Sequence, residues 1–235
     1  MSFLVGEKMV GGYGSADNIL KGCDLSVDKG QIAVIVGPNG AGKSTAMKAV
    51  FGMLSLREGS VHLNGKDITQ LKPQERVGIG MAFVPQTHNV FPTMTVEENL
   101  IIGGFRREDD FSETIEDIYS LFPILKEKRN QAAGQLSGGQ RQQVAVGRAL
   151  MTKPDVILLD EPTAGVSPIV MDELFDRIIE IRNKGIAILM VEQNAKQALN
   201  IADIGYVLVN GSNRFTDSGA ALMANPDVRK SFLGG

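Results

Sequence analysis

Three short stretches of the chain carry almost nothing but apolar residues: QIAVIV at 31–36, DVILLD at 155–160 and IAILMVE at 186–192. Runs of this length, rich in Val, Ile and Leu and bounded by Gly, Pro or acidic residues, predict strands buried on both faces. The first lies between Lys29-Gly30 and Gly37-Pro38 and is followed by a predicted helix from about Lys43 to Gly52. Between the second and third, IVMDELFDRIIEIRNKG places its apolar residues at i, i+3 and i+4, the spacing of an amphipathic helix. Strands that alternate with helices predict a parallel sheet in an α/β fold. The stretch 87–150 differs, being rich in helix formers and interrupted by the charge run RREDDF at 106–111. It predicts a helical insertion whose charged residues form a solvated turn.

Within that insertion, QLSGGQRQQV at 135–144 opens a helical pattern with two adjacent glycines. Glycine inside a helix costs roughly 1 kcal/mol against alanine. The pair is therefore expected just before the first turn, with Ser137 as cap and Gln140 reaching back to it. A helix start with bare backbone amides, at the positive end of the macrodipole, attracts anions. Gly138 and Gly139 are candidate contacts for one.

Composition narrows the class without naming a chemistry. The chain has 235 residues, 43% hydrophobic and 22% charged, the profile of a soluble globular protein large enough for a sizeable core. A net charge of −3 argues against bulk nucleic-acid binding. Cys23 stands alone, so an internal disulfide is excluded and a reducing compartment fits. The apolar runs fall well short of the roughly 18 residues that span a bilayer. The opening MSFLVGEKMV lacks the pattern of a secretory leader, so the chain is expected to be cytoplasmic.

Two segments carry the chemistry. GPNGAGKST satisfies G-x-x-x-x-G-K-[ST] directly after a predicted strand and at the start of a predicted helix. Gly37, Pro38, Asn39, Gly40, Ala41 and Gly42 let backbone amides curl round a polyphosphate, Lys43 reaches its terminal oxygens, Ser44 can ligate Mg²⁺ and Thr45 lies beside the inner phosphates. VILLD ends in Asp160 and Glu161, two carboxylates at the edge where open α/β sheets place ligands. Asp160 suits water-mediated binding of Mg²⁺, and Glu161 is then free to orient and deprotonate an attacking water.

GPNGAGKST, LSGGQ and VILLDEP, in this order, resemble the ABC ATPase family over essentially the whole chain. The resemblance implies a P-loop NTPase fold with a RecA-like core, an N-terminal antiparallel β-subdomain and a helical subdomain insertion. It implies one ABC ATPase domain over 1–235, with 1–86 and 151–235 as ATP-binding core and 87–150 as helical signature subdomain. ATP and Mg²⁺ are the implied ligands. Ser137, Gly138, Gly139 and Gln140 would then face the γ-phosphate of a nucleotide held by a second ATPase chain, and Arg141 would be solvent-side or structural. Tyr13, in VGGYGS, resembles the aromatic on which adenine stacks, although a tyrosine in such a turn also serves as a packing anchor. Gln86, in MAFVPQ, resembles the glutamine that senses Mg²⁺ and water. THNVFPTMTVEENL at 87–100 resembles the surface that receives a helix of a transmembrane permease, with Phe91, Pro92 and Met94 as apolar contacts or, alternatively, as local core.

Two departures sharpen the resemblance. TAGVSP puts Ser167 where the family usually has aspartate, and VEQN puts Gln193 where it usually has the switch histidine. Together with GIGMAFVPQ, FPTMTVEENL and the terminal FLGG, these look like ATPase subunits of importers of branched-chain amino acids, urea and short amides. The implied protein hydrolyses ATP on the inner face of the cell membrane. Its implied partners are separate permease subunits, a second ATPase, identical or more often related, and indirectly a solute-binding protein. Alternatives are a soluble ABC ATPase of DNA repair or translation, whose usual coiled-coil or basic extensions are missing here, and a lipid or lipopolysaccharide exporter ATPase.

Overall fold

The computed structural model describes residues 2–14 and 18–232; of the terminal FLGG only Phe232 falls among them. Strands β1 (Leu4–Gly11), β2 (Leu20–Val27) and β3 (Ile32–Val36) lead into helix α1 (Lys43–Val50). Then come β4 (Glu58–Leu63), the short β5 (Lys66–Asp67), α2 (Pro73–Gly78) and β6 (Met81–Val84). The helical stretch comprises α3 (Val96–Gly103), α4 (Ser112–Leu121), α5 (Pro123–Glu127) and α6 (Gly138–Leu150). The chain returns through β7 (Val156–Asp160), α7 (Pro168–Asn183), β8 (Ala187–Val191) and α8 (Ala195–Ile201). It closes with β9 (Ile204–Val209), β10 (Ser212–Asp217), α9 (Gly219–Ala224) and α10 (Pro226–Phe232).

Two sheets form. The larger has the order β10-β9-β3-β8-β7-β6 and is parallel from β9 to β6, with β10 antiparallel at one edge. The smaller, β2-β1-β4-β5, is antiparallel, the N-terminal sheet that the family resemblance implied. Alternate residues of the central strands enter different cores, which is why their sequences are apolar throughout. Val34, Leu159 and Met190 pack with Leu174 and Ile178 of α7 on one face. Ile35, Leu158 and Leu189 pack on the other with Met47 and Val50 of α1 and Val61 of β4, so α1 is held between the two sheets.

The end of α1 differs slightly from the sequence expectation. The helix stops at Val50, with Phe51 as C-cap, and Gly52 takes a left-handed φ of 79°. A Cβ on Gly52 would lie 2.7 Å from Arg76 Nε. Arg76, only 1% exposed, donates to the carbonyls of Ala49, Val50, Ile68, Thr69 and Leu71. Two of those carbonyls belong to the last turn of α1, where Val50 lacks an intrahelical donor and Ala49 also accepts the Gly52 N–H at 3.0 Å. Burial lowers the guanidinium pKa to about 10, against the opposing charge of Asp67.

The charge run at 106–111 does connect two helices, α3 and α4, but it is not wholly solvated. The side chain of Arg107 is 11% exposed and bonds Asp109, Thr114 Oγ1 and the Met151 carbonyl, tying the turn to the end of α6.

Candidate active site

Parallel pairing of β3, β8 and β7 brings their C-terminal ends to one edge of the sheet, the edge at which α/β folds bind ligands. The glycine loop leaves β3 there. Its first residue must be glycine, because a Cβ on Gly37 would lie 2.2 Å from the carbonyl oxygen of Leu208 in β9. Pro38, Asn39 and Gly40 are exposed, while Ala41, Gly42 and Thr45 are buried where α1 begins. Lys43, 6% exposed, donates to the carbonyls of Gly37 (2.9 Å) and Pro38 (3.2 Å) and so bends the loop into an arc. Burial lowers its ammonium pKa, while Glu161 and Asp160 act in the opposite direction.

β7 delivers the two acids beside that loop. Ser44 Oγ donates to Asp160 Oδ1 at 2.9 Å, which commits the hydroxyl proton and leaves the oxygen lone pairs free for a cation. Burial raises the Asp160 pKa; the Ser44 hydrogen bond and then Lys48 and Lys43 oppose it. Glu161 follows with a left-handed φ of 48°. A non-glycine residue pays on the order of 1–3 kcal/mol for that conformation. Its N–H donates to Val191 O at 3.0 Å, and its Oε2 accepts Gln86 Nε2 at 2.8 Å. Gln86, just past β6, is 75 positions from Glu161 in the chain and is joined to it across the sheet edge.

Residues 137–140 form a second group. Ser137 is the N-cap of α6: its hydroxyl accepts the Gln140 N–H at 3.3 Å, and Gln140 Oε1 accepts the Ser137 N–H at 3.1 Å. The glycines were expected just before the first turn; they are instead the first two residues of α6. The cost of glycine is accepted because a Cβ on Gly139 would lie 2.2 Å from Val170 Cγ1 in α7. Ser137 and Gly138 are exposed. Arg141 is structural, donating to the Leu136 carbonyl at 2.6 Å.

The remaining candidates lie around these groups. Tyr13 is 54% exposed, with Lys48 Nζ 5.7 Å from its ring centroid. Arg57 holds the turn that presents it, through the Gly14 carbonyl at 2.7 Å. Gln193, the second residue after β8, is exposed, with its N–H on Glu192 Oε2 at 3.2 Å. Ser167 is the N-cap residue of α7, but its hydroxyl makes no capping bond. A groove of about 980 Å³ runs between β6 and the helices, lined by Phe83, Gln86, Phe91, Phe105 and Arg148 among others. Phe91 stacks under Arg148, whereas Pro92 and Met94 do not line the groove.

Several residues of this region escape motif reading. Asn99, wholly buried, accepts the Phe91 N–H and donates to the carbonyls of Phe91, Met94 and Thr95, fixing the segment that carries Phe91. Glu192, 2% exposed, bonds Thr163, a partner 29 positions away. Neither distance nor direction can be read from an isolated Asn or Glu in a sequence.

A glycine loop between a strand and a helix, with a hydroxyl–carboxylate pair and a second acid at the same sheet edge, defines a P-loop nucleoside triphosphatase. Residues 20–164 match the ABC transporter family. The chain is 44% identical over 215 residues to BraG of Pseudomonas aeruginosa, a high-affinity branched-chain amino acid transport ATP-binding protein, covering 90% of this chain and 92% of that one. It is 41% identical over 219 residues to LivF of Archaeoglobus fulgidus, a probable branched-chain amino acid transport ATP-binding protein, covering 92% and 93%. The crystal structure of the ADP conformation of an ABC transporter cassette superposes with a TM-score of 0.86 at 34% identity, over 100% of both chains. The chain belongs to the ABC transporter family and is an ATP-binding, ATP-hydrolysing member of it. Among the described residues no helix is long and apolar enough to cross a membrane.

Proposed function

We propose that the chain powers uptake of branched-chain amino acids or a related small polar solute through separate transmembrane subunits, working at the inner face of the membrane. The names of its relatives support the solute class. The apolar groove beside Gln86 supports the partner, since a permease helix seated on Phe91 and Phe105 would touch the same segment that reaches Glu161.

The observation that carries the chemistry is the pair of contacts Ser44–Asp160 and Gln86–Glu161, the first tying one acid to the residue after Lys43 and the second tying the next acid to the segment after β6. ATP lies along that loop, with Lys43 released from the Gly37 and Pro38 carbonyls to meet the terminal phosphate oxygens. Mg²⁺ suits the oxygen donors of Ser44, Gln86 and Asp160, and when bound it neutralises charge on the phosphates. Glu161 accepts the proton of the attacking water as its oxygen bonds to the γ-phosphorus and the bond to ADP breaks. Gln193 donates an N–H to the γ-phosphate oxygens, a contact that does not titrate. Tyr13 stacks on the adenine. Ser137, Gly138, Gly139 and Gln140 act on the nucleotide of a second ATPase subunit, identical or related, arranged head to tail. ATP thereby bridges the pair, and loss of the γ-phosphate releases it.

The test is reconstitution with the permease subunits and binding protein in vesicles. Leucine, isoleucine or valine is expected to accelerate ATP hydrolysis severalfold. Acceleration by urea or an amide but by none of the three assigns a different solute, and no acceleration by any of them overturns the importer reading.

A further inference from the structure

Three strand ends are cross-bonded at residues 191 and 192. The Val191 carbonyl accepts the Glu161 N–H at 3.0 Å, and the Glu192 N–H donates to the carbonyl of Ile35, one residue before the end of β3, at 3.1 Å. The Glu192 side chain, 2% exposed, spreads its acceptors over two neighbours. Oε1 accepts the Thr163 N–H at 3.0 Å and the Thr163 hydroxyl at 2.8 Å, while Oε2 accepts the Gln193 N–H at 3.2 Å. Thr163 stands two residues after Glu161, and Gln193 follows Glu192 directly.

Burying a carboxylate without a cation is costly. Burial raises the Glu192 pKa, its three hydrogen bonds oppose that, and the charge of Glu161 adds to the rise. A carboxylate is nevertheless suited to this place, because it alone among side chains offers two acceptor oxygens with no donor to collide with three incoming N–H and O–H groups.

We infer that Glu192 is a positioning residue for hydrolysis, locking the Glu161–Thr163 turn to the backbone of Gln193 so that the base and the γ-phosphate donor address the same phosphate. The inference rests on the roles proposed above for Glu161 and Gln193. Glu192→Gln keeps size and shape but sets an NH₂ group against either Thr163 or the Gln193 N–H. Thr163→Val removes one of the three donors, and Thr163→Ser keeps it.

Turnover of the assembled transporter and equilibrium MgATP binding are to be measured for these variants, alone and combined, with Glu161→Gln as reference. Glu192→Gln is expected to lose roughly tenfold to a hundredfold in kcat, the range for reacting groups misplaced by up to an ångström, with ATP affinity unchanged. Thr163→Val should lose severalfold, Thr163→Ser should be close to wild type, and Thr163→Val should add little in the Glu192→Gln background. Unchanged kcat in folded Glu192→Gln, an equal loss of ATP affinity, or additive effects would overturn the inference. If Glu192→Gln fails to fold, Thr163→Val against Thr163→Ser decides, and equal kcat in those two overturns it. A normal Glu161→Gln would sink the proposed site and this inference together, whereas a dead Glu161→Gln beside a normal Glu192→Gln sinks the inference alone.

Discussion

Glu161 combines a left-handed backbone with two anchors, Val191 O on its N–H and Gln86 on its carboxylate. A side chain held this way has few orientations to lose when it meets a water. In Glu161→Gln the amide keeps the size and can still hold water, but it cannot accept the proton. Turnover is expected to fall by roughly a hundredfold or more, the range for loss of a general base, while MgATP binding persists. Steady-state phosphate release together with a binding titration checks both halves. The same restraint operates at Gly139, where Val170 leaves no room for a Cβ and the start of α6 is fastened to α7.

At the scale of elements, α1 matters most, because its first turn carries Lys43, Ser44 and Thr45 and its last turn depends on Arg76. That guanidinium satisfies the carbonyls of Ala49 and Val50 together with three more from residues 68–71. Arg76→Met fills similar space but leaves buried acceptors unpaired, and each of those costs roughly 1–3 kcal/mol. A loss of about 3 kcal/mol or more is expected, read as a lower urea midpoint at unchanged slope. Arg76→Lys recovers only part of it, since an ammonium cannot spread its donors over five carbonyls as a planar fork does.

For the whole molecule, the candidate residues form two groups within one chain: one around the glycine loop, the other at the start of α6 against Gly165 and Val170. A head-to-tail pair would bring the second group of one chain to the first group of another. In Glu161→Gln, MgATP is therefore expected to double the mass seen by light scattering, alone or with the related ATPase. Adding Ser137→Arg should abolish that increase while leaving nucleotide affinity of the single chain intact. A loss of affinity instead would mean that the α6 start serves its own chain's nucleotide.

Much of this architecture was legible along the chain because its causes are local. Apolar runs announced β3, β7 and β8, Ser137 and Gln140 announced the cap of α6, and the spacing of Gly37, Gly42, Lys43 and Ser44 announced the phosphate loop. The run IGYVLV and the Asn210-Gly211 turn after it are a strand and hairpin signal for β9 and β10, but local pattern could not tell that they extend the sheet beyond β3, since the neighbour of β9 is decided by pairing. Nor could it join Gln86 to Glu161, Arg76 to the end of α1, or Glu192 to Thr163, pairs separated by 75, 26 and 29 positions. The order β8-β7-β6 sets the first and third of these pairs, and the need of a buried polar group for a hydrogen bond sets the second. Only the closed fold satisfies both conditions at once.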